Sequence, residues 1–226
     1  MFVLVPLCDV PSREKSDRLL ELIARIAPFT ARSEPECRAY AWFRNAEDTD
    51  AVPGHWVRGI EVYETQEANR ETHRAGEAYR EFRAAVAAEG LLNGYPDMRF
   101  WRATGVGFLT RAPINMMADR EATKNQYIIV QDLSPKQGAK SKVLDTLGSV
   151  VNSVESVSSV GSFWVLEREN KEDGDDVIVF ARFDCKNSYE AFMATDAGQT
   201  WKTVGDLCQA ALTTTWTEAG IGFLGR

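Results

Sequence analysis

The chain has 226 residues, of which 44% are hydrophobic and 26% are charged, and its formal net charge is −7. This balance is typical of a globular protein with a full core, and the lack of any Lys/Arg cluster excludes a nucleic-acid partner. The apolar run at residues 2–8 is interrupted by Pro6 and is too short for a signal segment or a membrane span.

Cysteine and histidine form no recognisable ligand set. The cysteines are Cys8, Cys37, Cys185 and Cys208. None belongs to a CxxC pair or stands at metal-ligand spacing from the two histidines, His55 and His73. We therefore expect reduced thiols, no metal site and a cytoplasmic protein.

The first half of the chain predicts the element order β-α-β-β-α-β. An apolar strand at residues 2–5 precedes a helix, because Leu19, Leu22, Ile23 and Ile26 fall on one face. Two strands, a second helix and a closing strand follow at residues 38–44, 56–63, 66–88 and 100–111.

The second half predicts the same order. A strand at residues 127–130 precedes a helix on which Leu144, Leu147 and Val151 share a face. Two strands, a second helix and a closing strand follow at residues 161–167, 177–183, 187–211 and 215–226.

The closing strands indicate that the chain is duplicated. Residues 100–111 read FWRATGVGFLTR and residues 215–226 read TWTEAGIGFLGR, which are identical at six of twelve positions. An internal repeat of this kind defines the domain organisation. We expect one repeat at residues 1–111, a linker without regular structure at residues 112–126, and a second repeat at residues 127–226.

A four-stranded sheet with two helices on one face leaves its other face apolar and bare. We therefore expect an α+β fold in which two ferredoxin-like repeats pack sheet to sheet as an intramolecular pseudo-dimeric α/β barrel with its helices outside. Further association into a homodimer stays open. Gly105 and Gly107 lie within a strand, which predicts a bulge and excludes a dinucleotide-binding turn.

One junction resembles a known family. Residues 62–68 read VYETQEA and pass into a helix that carries His73. With the β-α-β-β-α-β order, this pattern is similar to the antibiotic biosynthesis monooxygenase family. The resemblance implies a cofactor-independent monooxygenase of secondary metabolism that acts on an enolisable polyketide or aromatic compound. Its partner would be a hydrophobic small molecule, with O2 as co-substrate and no flavin or metal.

The oxygenases of that family carry a Trp at the end of the third strand, an Asn four residues before it, a Tyr six residues after it and an Arg about twenty after it. In the first repeat these positions hold Tyr63, Gly59, Asn69 and Arg83. In the second repeat they hold Phe183, Val179, Tyr189 and Thr203. Arg83 and Tyr189 are thus the retained residues.

Both histidines lie in the first repeat, so we expect the active site there. His73 is the candidate base, since histidine titrates near neutral pH, and Tyr79 and Arg83 are candidates to stabilise the resulting anion. Gly76 predicts a helix break that would bring Tyr79 and His73 together, while His55 is expected to be solvated. The candidate substrate-binding residues are Tyr40, Trp42, Tyr63, Asn69, Phe82 and Trp101, with Tyr189 in the second repeat.

The same barrel hosts other functions. A non-redox polyketide cyclase, dehydratase or isomerase would share the proton-removal step, and a non-catalytic small-molecule binding protein would share only the cavity. Haem degraders with this fold place a Trp near the start of the second helix and a ligating His about ten residues later. His73 and Arg83 stand at those positions, so no haem ligand remains.

Overall fold

The structure is a computed structural model that describes residues 1–226. The strands are β1 (Phe2–Leu4), β2 (Leu7–Cys8), β3 (Cys37–Asn45), β4 (Val57–Tyr63), β5 (Phe100–Phe108), β6 (Ile114–Asn115), β7 (Tyr127–Pro135), β8 (Val160–Arg168), β9 (Val177–Phe183) and β10 (Cys208–Leu224). The α-helices are α1 (Arg13–Ser33), α2 (Glu77–Ala88), α3 (Arg120–Thr123), α4 (Lys140–Val154), α5 (Lys186–Met193) and α6 (Asp196–Thr203). A π-helical segment spans Ala68–His73, and 3-10 turns span Lys171–Asp173 and Val204–Leu207.

Eight strands close into an antiparallel barrel in the order β1-β5-β8-β9-β7-β10-β3-β4, and β4 pairs back to β1. The first repeat supplies the sheet β5-β1-β4-β3 and the second supplies β10-β7-β9-β8. Each closing strand pairs with the other repeat, β5 with β8 and β10 with β3. The α+β pseudo-dimeric barrel is thus confirmed. No helix combines the length and apolar composition that a membrane crossing requires.

Alternation along the strands sorts side chains between the barrel interior and the space under the helices. On β3, Ala39, Ala41 and Phe43 belong to the barrel core, which also contains residues of the second repeat. Tyr40 and Trp42 belong instead to the core that the first repeat forms with α1 and α2. Because both faces of the sheet are covered, every residue of β4 and of β9 is buried.

The equivalent Gly-x-Gly pairs of β5 and β10 form bulges at which the ladder register shifts. All four glycines have positive φ. A Cβ atom at Gly107 would lie 1.9 Å from the carbonyl oxygen of Phe163, and one at Gly222 would lie 1.7 Å from that of Tyr40. The backbones of the two repeats therefore approach each other at distances that only glycine permits.

The second helix at residues 66–88 is broken, as Gly76 predicts, and Gly76 caps the start of α2. Two other segments differ from the sequence-based expectation. The helix expected at residues 187–211 gives way to strand β10 at Cys208, because β7 extends far enough to pair with this part of the chain. The segment 112–126 carries β6, which pairs with β10, and α3.

One arginine at the end of each repeat binds the other repeat. After β5, Arg111 donates to backbone carbonyls at the end of α4, with Nη2 2.8 Å from the oxygen of Val154. After β10, Arg226 donates from Nη1 to the carbonyl of Glu34 (2.9 Å) and from Nη2 to that of Thr30 (2.8 Å) at the end of α1. We call these contacts the Arg111 clamp and the Arg226 clamp. They give the carbonyls at the helix ends a further donor, since the Thr30 carbonyl already accepts from the peptide N–H of Glu34 and the Val154 carbonyl from that of Val157.

Candidate active site

A cavity of about 90 Å³ lies between the sheet of the first repeat and its helices, and we call it the inner cavity. Five of its lining residues were singled out in the sequence: Tyr40, Trp42, Tyr79, Phe82 and Arg83. They come from β3, where alternation points them under the helices, and from α2. Aromatic rings therefore form much of the wall, which suits a flat apolar ligand.

Glu61 is the acidic group in this wall, and sequence reasoning missed it. It lies on β4, is 6% exposed, and accepts a 3.0 Å hydrogen bond from the hydroxyl of Tyr63. Burial raises the pKa of the Glu61 carboxyl, and the opposing effect of His73 is smaller. A carboxylate whose pKa is raised by burial is a stronger base than an exposed one.

His73 is buried directly behind the cavity wall, with 1% of its surface exposed. Its Nδ1 lies 3.0 Å from Oε2 and 3.1 Å from Oε1 of Glu34, so Nδ1 carries the proton. Its Nε2 is buried without a hydrogen-bond partner. The ring packs between those of Tyr40 and Tyr79, with centroid distances of 5.4 and 5.0 Å. His73 thus neighbours the cavity without lining it.

The break between the π-helical segment and α2 places Tyr79 beside His73. An unbroken α-helix would put these residues, six apart, on nearly opposite faces. In the structure the peptide N–H of Gly76 bonds to the carbonyl of His73 at 3.1 Å, and α2 restarts in a new direction. Isolated π-helical turns often occur at functional sites.

Two donors at the inner cavity have no partner of their own. Trp42 packs its ring so closely over Gly59 that a Cβ atom there would lie 2.9 Å away, and its Nε1 is buried without an acceptor. Arg83 is half-buried and forms no ion pair, although 18 ion pairs occur elsewhere in the chain. Unsatisfied donors facing a cavity indicate where an anionic oxygen of a ligand would bind.

A second space adjoins the inner cavity. This outer cleft has a volume of about 210 Å³ and shares Arg83, Leu92 and Tyr95 with the inner cavity. Tyr95 is 94% exposed, so almost all of its side chain faces solvent. A cavity of about 150 Å³ can hold one benzene ring, so a ligand with fused rings would have to extend from the inner cavity into the outer cleft.

Other candidates from the sequence lie away from the inner cavity. Tyr63 and Asn69 are buried but do not line it. Trp101 belongs to the barrel core, where the guanidinium of Arg99 stacks 5.0 Å from its ring centroid. His55 is partly exposed in the loop before β4.

The equivalent space in the second repeat has a different lining. Tyr189 lies there beside Gln131 and Trp201, whose Nε1 donates to the Gln131 side chain at 2.9 Å. In the β-ladders Glu61 is opposite Tyr40, and the matching position opposite Phe163 holds Ala181. This second groove therefore has no carboxyl group at the position of Glu61. Nowhere in the chain do three or more metal-ligating side chains cluster.

Comparison with known proteins relates the first repeat to a sequence family. Residues 1–85 match the sequence model of the antibiotic biosynthesis monooxygenase family. The chain is a double fusion of antibiotic-biosynthesis-monooxygenase-like repeats. No curated protein matches the sequence.

Solved structures share the barrel over its whole length. A protein of Fusobacterium nucleatum provisionally named a monooxygenase is 10% identical and superposes with a TM-score of 0.78 over 100% of this chain and 94% of its own. One from Lactobacillus acidophilus with the same provisional name is 9% identical, with a TM-score of 0.74 and coverage of 99% and 95%. An anthrone oxidase-like protein is 15% identical, with a TM-score of 0.67 and coverage of 99% and 92%. At these identities the likeness establishes the fold.

Proposed function

We propose that this protein is a cofactor-independent monooxygenase that removes a proton from an enolisable aromatic compound in the inner cavity. The observation that carries the proposal is Glu61, a carboxyl group with a raised pKa in the wall of an otherwise aromatic cavity. The family of the first repeat and the structural likeness to an anthrone oxidase-like protein support it.

Glu61 is the group that takes the proton. Glu61 lines the cavity and His73 does not. We therefore assign the role of the base to Glu61 rather than to the histidine expected from the sequence. The Tyr63 hydroxyl fixes the carboxylate through its hydrogen bond. The buried pair of His73 and Glu34 stands behind it and influences its charge.

The anion that forms is held by donors from α2 and from β3, the strand paired with β4. Arg83 offers a free guanidinium, and the Trp42 indole N–H is already desolvated, so neither has to break a protein hydrogen bond before it binds the developing oxyanion. Tyr79 lies in the same wall and supplies a hydroxyl. Such pre-organised donors are most effective where water is excluded.

Oxygen chemistry follows from the anion itself. After Glu61 removes one proton from a CH2 group, the enolate passes one electron to O2, and the resulting radical and superoxide combine as a peroxide anion. The peroxide takes up a proton, and loss of the second C–H proton with cleavage of the O–O bond releases water and leaves a ketone. One O2 is consumed per turnover, and no flavin, metal or external reductant is required.

Oxygen uptake in the presence of anthrone, corrected for the protein-free rate, tests this proposal. Glu61→Gln preserves the shape of the side chain but cannot accept the proton, so we expect kcat to fall by about 10²- to 10⁴-fold. The matched control is Glu218→Gln, because Glu218 is a half-buried carboxyl group whose pKa is likewise raised by burial, but it lies outside the cavity.

Two outcomes would contradict the proposal. Turnover that continues at the same rate without O2 would assign the site to a non-redox cyclase, dehydratase or isomerase. Tight binding of aromatic ligands with no turnover in any condition would assign it to a binding protein.

A further inference from the structure

The site of the first repeat is in contact with the end of the second. Arg226, which follows β10, donates to the backbone carbonyls of Thr30 and Glu34. The side chains of these two residues are themselves linked, since the Thr30 hydroxyl donates to Oε1 of Glu34 at 3.1 Å. The Glu34 carboxylate then accepts from Nδ1 of His73. Hydrogen bonds to the backbone and to the side chain of Glu34 therefore connect the second repeat to the buried histidine through that one residue.

We propose that Arg226 is a positioning residue of the site in the first repeat, because it fixes the helix end from which Glu34 orients His73. The catalytic part of this inference rests on the proposed function. Its structural part, the orientation of His73, does not depend on any substrate.

The geometry favours arginine over lysine at this position. Two carbonyls are bound by two different nitrogens of one guanidinium, and the same group stacks 4.4 Å from the ring centroid of Phe223. A lysine ammonium is a point charge that cannot reproduce this planar fork. The Arg226 side chain, although exposed, thus makes two hydrogen bonds and one stacking contact.

The Arg111 clamp is a natural control. It repeats the arrangement at the end of α4, and Arg111 also stacks on a phenylalanine, with 4.6 Å to the ring centroid of Phe108. Three residues before the next strand, where the first repeat has Glu34, this turn has Val157. Its acidic residue, Glu155, is exposed, and no histidine lies in the second repeat. Both clamps therefore stabilise a helix end, but only the Arg226 clamp binds a residue of an ionisable pair, Glu34 and His73.

Several charged and titratable groups surround His73, and they act on it whether or not Arg226 is present. Glu34 follows α1, Tyr40 and Cys37 lie on β3, Glu61 and Tyr63 lie on β4, Arg74 ends the π-helical segment and Tyr79 lies on α2. Removal of Arg226 also removes a positive charge that acts on Cys37. Arg226→Lys keeps this charge, so comparing the two variants separates loss of charge from loss of the contact with Glu34.

Proton NMR of the full chain tests the proposal, since the chain has only two histidines. The Nδ1 proton of His73, buried against Glu34, should give a slowly exchanging downfield resonance, while His55 serves as the internal reference. We expect Arg226→Met to lose this resonance through exchange with water and Arg226→Lys to recover it only in part. Arg111→Met should leave it unchanged although it lowers Tm by a similar amount.

The kinetic measurement is separate. In the anthrone assay Arg226→Met should lower kcat by about tenfold to a hundredfold and change its pH profile, and Arg111→Met should do neither. An unchanged His73 resonance in both Arg226 variants would overturn the inference, as would equal loss of the resonance in Arg111→Met. If no variant or wild-type protein consumes O2, the proposed function fails, but the NMR result still decides the positioning role.

Discussion

Burial of the Glu61 carboxyl group lowers the stability of the folded state at neutral pH. Its neighbours in β4 are all buried, and it has one hydrogen bond, from Tyr63, to offset the loss of water. The pKa of the carboxyl group is raised because burial disfavours its charged form. The folded state therefore binds this proton more tightly than the unfolded chain, and the stability contributed by this group falls as pH rises from the unfolded pKa to the folded one.

Glu61→Gln should consequently be more stable than the wild-type protein at neutral pH, and the gain should vanish at about pH 4, where both states of the wild-type carboxyl are protonated. Urea unfolding at several pH values measures this difference. A loss of both stability and activity at neutral pH would indicate that Glu61 is a structural residue instead.

The residues of the site were predictable to different degrees. Tyr79, Arg83 and Trp42 could be singled out because aromatic and guanidinium groups at those positions suit an anionic aromatic ligand. Glu61 could not, since a charged residue within a strand is ordinarily assigned to a solvated face. The usable signal was the fold itself: a sheet covered by helices outside and by a second sheet inside has no solvated face.

At the scale of elements, the bulges of β5 and β10 determine how the repeats meet. The Gly-x-Gly repeat was visible in the sequence because glycine in a strand marks a close backbone approach. The change from helix to strand at Cys208 was not visible, because it depends on pairing with a distant part of β7 rather than on local composition.

Gly222→Ala should therefore destabilise the protein by about 3 kcal/mol or more, because its Cβ would collide with the carbonyl of Tyr40 as well as adopting a positive φ. Gly105→Ala is the control: it has φ +85° but nothing within 4 Å of a Cβ atom, so the cost should be only about 1 to 2 kcal/mol. Chemical denaturation of both variants makes the comparison. Equal losses of stability in the two variants would show that positive φ alone, and not the close approach of the backbones, explains why both copies have the Gly-x-Gly pair.

At the scale of the whole molecule, the loop between β3 and β4 binds the first repeat to the second through one carboxylate. Asp48 accepts from the Tyr127 hydroxyl and from Lys186 Nζ, each at 2.8 Å, and from the Thr215 hydroxyl at 2.5 Å. Burial opposes its ionisation, but these hydrogen bonds outweigh burial and lower the pKa of Asp48. Its stabilising contribution is present above the unfolded pKa and is lost as pH falls through the folded one.

Asp48→Asn should thus be less stable than the wild-type protein at pH 7, and the two proteins should converge as pH falls below about 4. Thermal unfolding followed by circular dichroism across this range is the measurement. A difference that stays constant with pH would mean that the charge of Asp48 makes no contribution and that only its shape matters.

The pairing of β5 with β8 and of β10 with β3 also has a kinetic consequence. Each half-barrel has two open edges until the other half docks, and because both belong to one polypeptide, the docking partner is present at an effective concentration on the order of millimolar. Every molecule therefore combines one first repeat with one second repeat, and pairing of two identical repeats does not compete. The second half can then carry Ala181 where the first carries Glu61, and each barrel still contains one carboxyl group at this position.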